Sequence, residues 1–278
     1  MGREWSAEHL LGKQSFADAT SWKPLVDGRF VGDVDPIWGQ GRAVYGGVVG
    51  AGMARAMKAA VSDDKSLRSF SVTFAGPIEA GEVECLTALL REGRSATFVN
   101  AEITQGGTKR AAANATFGLS RQSSVRTPGP RRPDSPSPEV CKAMPYIDGV
   151  MPSFTQRIEF RYTHGDFPFM GDTGSSCIGG WCRFRADADR ADAPGILALI
   201  DTWPAPILST MKVPAPASSI TWSVDFFGQH VEARLDEWWY FDARTVFAAD
   251  GYTSFEASLW APDGQYVARS CQLVGVFG

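Results

Sequence analysis

The sequence predicts an α+β fold written twice in one chain, each copy a helix followed by antiparallel strands. Three observations predict it. Runs of alternating or β-rich residues are separated by glycine turns in both halves, a helical segment precedes the strands in each half, and a proline-rich stretch divides the two.

In the first half a short strand, GRFVGDV, leads into the helical segment 44–61. Four strand-like runs follow: SFSVTFAG, EVECLTALLR, SATFVNAEIT and KRAAANATFGL, broken at EGR and QGGT. The second half repeats the plan. IGGWCRFR precedes the helical segment 194–211, and TWSVDFFG, WWYFDARTVFAA, TSFEASLWA and YVARSCQLVGVF follow, broken at DGY and PDGQ. Between them SVRTPGPRRPDSPSPEV carries five prolines and almost no large apolar residue, the composition of a linker or surface excursion. The expected division is 1–120 for the first repeat, 121–152 for the linker and 153–278 for the second repeat.

Composition narrows the function classes. An apolar share of 44% suits a packed globular core, and no run approaches the about 18 apolar residues of a membrane span. The start MGREWSAEHL lacks a signal-peptide core, so the expectation is a soluble cytoplasmic protein. A net charge of −4 argues against a nucleic-acid partner. Five cysteines without framework spacing read as reduced thiols, and Cys177 and Cys182 have no second pair to complete a zinc site. His9, His164 and His230 are mutually remote in sequence. No metal and no cofactor are expected.

The segment RAVYGGVVGAGMARAMKAAV opens a small-residue helix with two glycines and contains no acid. Gly50, Gly52, Ala54 and Ala56 allow a neighbour to pack closely. Gly46 and Gly47 leave the first amides of the helix unshielded, so the N-terminus can hold a carbonyl oxygen or an anion. In the second helical segment Asp201 is the only acid, in an apolar run ILALID that favours burial. A buried carboxylate needs partners or a task. Its plain alternative is a cap at a helical break, since Pro204 and Pro206 follow.

A long helix followed by such a meander is the order of a hot-dog fold, in which a curled antiparallel sheet wraps one central helix. On VYGGVVGAGM, ALIDTWPAP, SSITWSVDFF and VARSCQLVGV, in that order and spacing, the chain resembles the acyl-CoA thioesterase II family, whose members carry two hot-dog repeats. The resemblance covers most of the chain apart from the linker and the extreme N-terminus. It implies hydrolysis of an acyl-CoA thioester, with catalytic residues at Asp201, Ser219 and Gln272 and a substrate-facing helix entry at Gly46 and Gly47. Serine stands where the family usually has threonine, and Ser218 beside it competes for the role. The implied partner is acyl-CoA, with no nucleic acid and no membrane span, and a homo-oligomer is allowed.

Other residues offer weaker readings. Trp203, Trp222, Trp238 and Trp239 can line an acyl tunnel but fit a plain strand core at least as well. Arg42, Arg55, Arg91, Arg94, Arg131 and Arg132 are candidates for coenzyme A phosphates. No GxSxG elbow or phosphate loop is present. The rival functions are a hydratase or dehydratase on the same fold and a non-catalytic acyl-CoA binder.

Overall fold

The computed structural model describes residues 13–171, 174–227 and 231–277, so His9 and His230 lie outside the described residues. In chain order the elements are α1 (Phe16–Thr20), β1 (Lys23–Pro24), β2 (Arg29–Val34), β3 (Gly39–Gln40), β4 (Ala43–Val44), α2 (Gly46–Lys58), β5 (Lys65–Phe74), β6 (Gly81–Glu92), β7 (Ala96–Gln105) and β8 (Thr108–Leu119). The second half adds β9 (Lys142–Ala143), β10 (Ile158–His164), β11 (Cys177–Phe184), α3 (Ala193–Ile200), β12 (Ala217–Phe226), β13 (Trp239–Ala249), β14 (Tyr252–Trp260) and β15 (Tyr266–Val276).

All eight long strands expected from the alternation form, because apolar side chains at every second position have one face to bury. Their turns follow the glycines. Gly106 and Gly107 both have positive φ, as do Asp250 and Gly251, the backbone that a two-residue hairpin needs. Strand β10 was not anticipated, although its alternating Ile158, Phe160 and Tyr162 are buried and carry the same signal.

Among the described residues thirteen strands join one sheet in the order β1-β2-β6-β7-β8-β5-β12-β15-β14-β13-β11-β10-β9. The halves meet where β5 pairs antiparallel with β12, with Ser71 opposite Ser223. A pseudo-two-fold centred on that pair places Phe70 where Trp222 stands, and the two rings meet edge-on at 6.0 Å. Helix α2 packs on β6, β7 and β8, while α3 packs on β14 and β15 and against α2. Their apolar residues and the inner strand positions share one buried cluster. Close packing explains two helical glycines: a Cβ on Gly50 would stand 2.8 Å from Trp222, and one on Gly52 would strike Trp22.

Two expectations are corrected. Helix α2 is trimmed to Gly46–Lys58, and the second helix, expected to run from 194 to 211, is only 8 residues long. Asp192 caps its start by accepting from the Gly195 amide at 2.8 Å, with Pro194 in the first turn. Asp201 is its C-cap, and Pro204 and Pro206 prevent continuation; a separate 3-10 turn covers Pro206–Thr210.

The proline-rich stretch crosses the outer face of the second half's strands. Pro130 and Pro136 offer carbonyls to the indoles of Trp260 at 3.0 Å and Trp181 at 2.9 Å, and the Arg132 guanidinium lies 4.5 Å above the Trp181 ring. These contacts satisfy indole donors that would otherwise be left unpaired on a buried aromatic cluster.

Candidate active site

Three side chains from separate elements of the second half converge. Asp201 ends α3, Gln272 projects from β15 and Ser219 from β12. Gln272 Nε2 donates to Asp201 Oδ1 at 2.7 Å, and Ser219 Oγ donates to Gln272 Oε1 at 2.8 Å. An ionised carboxylate can only accept, so the carboxamide must turn its NH2 to Asp201 and its oxygen to Ser219. The serine proton is thereby committed to Gln272. Its remaining lone pairs are free to accept, and every donation runs toward Asp201.

Register decides which serine takes part. Trp222, Val224 and Phe226 are the buried positions of β12, so strict alternation would turn Ser218 inward. A one-residue irregularity lies between Ser219 and Thr221, where the partner strand advances only from Val274 to Leu273. The extra residue, Ile220, resets the alternation and brings Ser219 to the inner face, leaving Ser218 exposed.

From the first half, the entry of α2 faces Asp201. Its N-cap, Tyr45, makes no side-chain capping bond; the Gly47 amide instead donates to the Asp201 carboxylate, and the Gly46 amide is not closed off by the N-cap side chain. A Cβ on Gly46 would stand 2.9 Å from Asp201 Oδ2 and 3.5 Å from the Phe74 ring. Only glycine leaves that space open. A Cβ on Gly47 would strike the Tyr45 ring instead, so this glycine makes room for the tyrosine.

Asp201 keeps some surface accessible to solvent yet sits deep among protein atoms. Burial pushes its pKa up to about 7, while the Gln272 carboxamide and the Gly47 amide pull it back toward the ordinary range. A carboxylate tuned to neutrality and reached from one side suits a general base acting on one water molecule. Cys182 is no competing nucleophile, because burial pushes its thiol up to about 11. All five cysteines are free thiols.

The pseudo-two-fold locates the corresponding residues of the first half. Ser219 corresponds to Leu67 and Gln272 to Ala115, both buried, since Phe70 pairs Ala115 as Trp222 pairs Gln272. At the entry of α3 the Asp192 side chain already occupies an amide, and Arg55 of α2 meets that carboxylate at 3.0 Å. The first-half counterpart therefore has an apolar wall and a closed helix entry.

The remaining candidates disperse. Trp203 packs in the core, stacked on Phe241 at 5.3 Å and edge-on to Phe160, and Trp222 and Trp239 are buried with bonded indoles. Trp238 lies under Arg183 beside the outer aromatic patch. Arg55 and Arg132 are engaged as described, while Arg42, Arg91, Arg94 and Arg131 are exposed. His164 meets Asp242 at 3.0 Å on β10 and β13, on the face turned away from the helices. A groove of about 390 Å³ lined by Ser71, Thr73, Asn114, Thr221 and Ser223 also opens on that outer face. Its lining also includes Trp222 and Gln272, whose strands stand between it and the helices. Sequence reasoning missed Tyr45, whose hydroxyl reaches across to α3; nothing local in the sequence signals that contact.

Comparison with known proteins gives the family and the fold. Residues 34–118 match the model of the acyl-CoA thioesterase N-terminal domain, and residues 138–276 that of the acyl-CoA thioesterase C-terminal domain. No curated protein matches. Among solved structures, a conserved protein of unknown function with a hot dog fold from Alicyclobacillus acidocaldarius superposes with a TM-score of 0.85 at 22% identity, over 96% of this chain and 99% of that one. The tesB protein of Mycobacterium avium subs paratuberculosis gives 0.78 at 18% identity, over 95% and 100% of the two chains. Acyl-CoA thioesterase II TesB2 from Mycobacterium marinum gives 0.73 at 16%, over 95% and 99%. These likenesses establish the hot-dog fold. With two domain models matched in order over most of its length, the chain belongs to the acyl-CoA thioesterase family.

Proposed function

We propose that this chain hydrolyses an acyl-CoA thioester with a directly activated water, at one site built between two hot-dog units, 1–120 and 153–278, joined by the linker 121–152. The observation that carries this reading is the hydrogen-bonded line Ser219–Gln272–Asp201 ending at the Gly47 amide in the first turn of α2. In the first step Asp201 takes a proton as the water oxygen attacks the thioester carbonyl carbon. Gln272 fixes the carboxylate and Ser219 accepts from the water. Negative charge gathers on the former carbonyl oxygen, and the Gly46 amide at the entry of α2 stabilises it, while the Gly47 amide holds the carboxylate. Collapse expels the coenzyme A sulfur, which takes the proton back from Asp201. A carboxylic acid near 7 protonates an alkyl thiolate downhill, since a cysteine-like thiol has a pKa of about 8.5.

Several features favour this over the rivals. A hydratase needs acid and base beside the same substrate, and the His164–Asp242 pair stands on the other side of the sheet from Asp201. A purely binding module has no use for a carboxylate held near neutrality. The apolar counterparts Leu67 and Ala115, with the closed entry at Asp192, support one competent site per chain.

Two measurements test the reading together. A screen of short, medium, long and aromatic acyl-CoAs is expected to find turnover with at least one, and titration with a non-hydrolysable acyl-CoA analogue is expected to saturate at one equivalent per chain. Ligand-stabilised melting without turnover of any acyl-CoA would make the chain a binder. Two equivalent tight sites would contradict the division of labour between the halves.

A further inference from the structure

Tyr45 takes no part in the hydrogen-bonded line, yet it joins the two helices that meet at the site. It is fully buried, and its ring stacks on Phe154 with centroids 4.1 Å apart and planes within 7°. Gly47 leaves room for that ring. The hydroxyl donates to the carbonyl of Ala198, in the last turn of α3. The same carbonyl accepts from the backbone amide of Asp201 at 3.3 Å. Helix ends leave carbonyls without intrahelical partners, and here one of them holds both the N-cap of α2 and the backbone of the base.

We propose that Tyr45 is a positioning residue, its hydroxyl tying the amide-bearing entry of α2 to the carboxylate-bearing end of α3 and so fixing the base relative to the point where the oxyanion forms. This rests on Asp201 acting as the base. A phenylalanine would fill the same space and stack equally well, so the hydroxyl is the part that acts. Burial, then the charges of Asp201 and Cys182, raise the phenol far above its ordinary pKa, so it stays protonated and donates. Among the described residues the titratable group set against Asp201 from a neighbouring element is this neutral phenol, and the phenol in turn meets the neutral thiol of Cys182.

Tyr45→Phe isolates the hydroxyl, and Gly47→Ala displaces the ring while keeping it. Val99→Ala, a cavity variant in the first half's core, reports loss of stability alone. For Tyr45→Phe, kcat is expected to fall about tenfold, as for a sub-ångström loss of alignment, with KM within about twofold. The acidic limb of its pH profile is expected to move upward, because the Gly47 amide no longer supports the carboxylate. Gly47→Ala is expected to show the same loss and shift, and stands in if Tyr45→Phe does not fold. Val99→Ala should keep wild-type kcat and limb. Wild-type kcat and limb in folded Tyr45→Phe or Gly47→Ala would overturn the role, as would an equal loss in Val99→Ala. If the wild type turns over no acyl-CoA, the reading of the site itself fails, and the positioning role falls with it; an active wild type with an unaffected Tyr45→Phe removes the positioning role alone.

Discussion

Asp201→Asn is expected to hydrolyse acyl-CoA about 10²–10⁴-fold more slowly than the wild type while still binding the substrate, the range lost when a general base is removed. Asparagine keeps the shape, and its oxygen can still accept from Gln272 Nε2, while its NH2 cannot act as a base. Stability should move the other way. The folded pKa of about 7 lies above the about 3.9 of an unfolded aspartate. The fold thus favours the protonated acid: its contribution is fully present below pH ~4 and is lost as pH rises through about 7. Asparagine does not titrate, so the variant should melt above the wild type at pH 8, with the gap closing toward pH 4. Thermal melts at the two pH values read this directly. Near-normal turnover in Asp201→Asn would remove the residue from the mechanism, and an equal or lower melting point at pH 8 would contradict its burial as a charged base.

Gly46→Val is expected to lower turnover by about 10²–10³-fold, the scale of a lost oxyanion donor. The first side-chain carbon would stand 2.9 Å from Asp201 Oδ2 and the branches would press on Phe74, filling the space that the water and thioester need. The backbone of Gly46 is ordinary helix, where valine is accepted, as Val48 and Val49 show one turn on. The loss should therefore appear in steady-state kinetics without loss of the folded state by circular dichroism. Wild-type kcat/KM in folded Gly46→Val would place the substrate elsewhere.

Much of this architecture was legible in the sequence, for physical reasons that differ between elements. The eight long strands showed because alternation and glycine turns are local signals, and Asp201 stood out as a candidate because a lone acid in an apolar run is conspicuous. Boundaries of the second helix did not, since apolar periodicity continues past Asp201 while Pro204 and Pro206 end the helix. The choice between Ser218 and Ser219 depended on the irregularity at Ile220, a property of strand pairing that no single strand reveals. Gly47 read as an open approach to the substrate, whereas its missing side chain accommodates Tyr45. That contact and the closure of the other entry by Asp192 and Arg55 join residues far apart in sequence, so only the folded chain brings them together.

The central claim is that a single buried carboxylate, held by Gln272 and Ser219 at the entry of α2, activates the water. The pH dependence of kcat/KM for wild-type protein with its best acyl-CoA tests it most directly, because that profile reports the essential base of the free enzyme. The account predicts activity that rises tenfold per pH unit on the acidic side and levels off through a single ionisation at about pH 7. A profile flat from pH 5 to pH 8, or one whose limb lies at the about 4 of an ordinary exposed carboxylate, would contradict it.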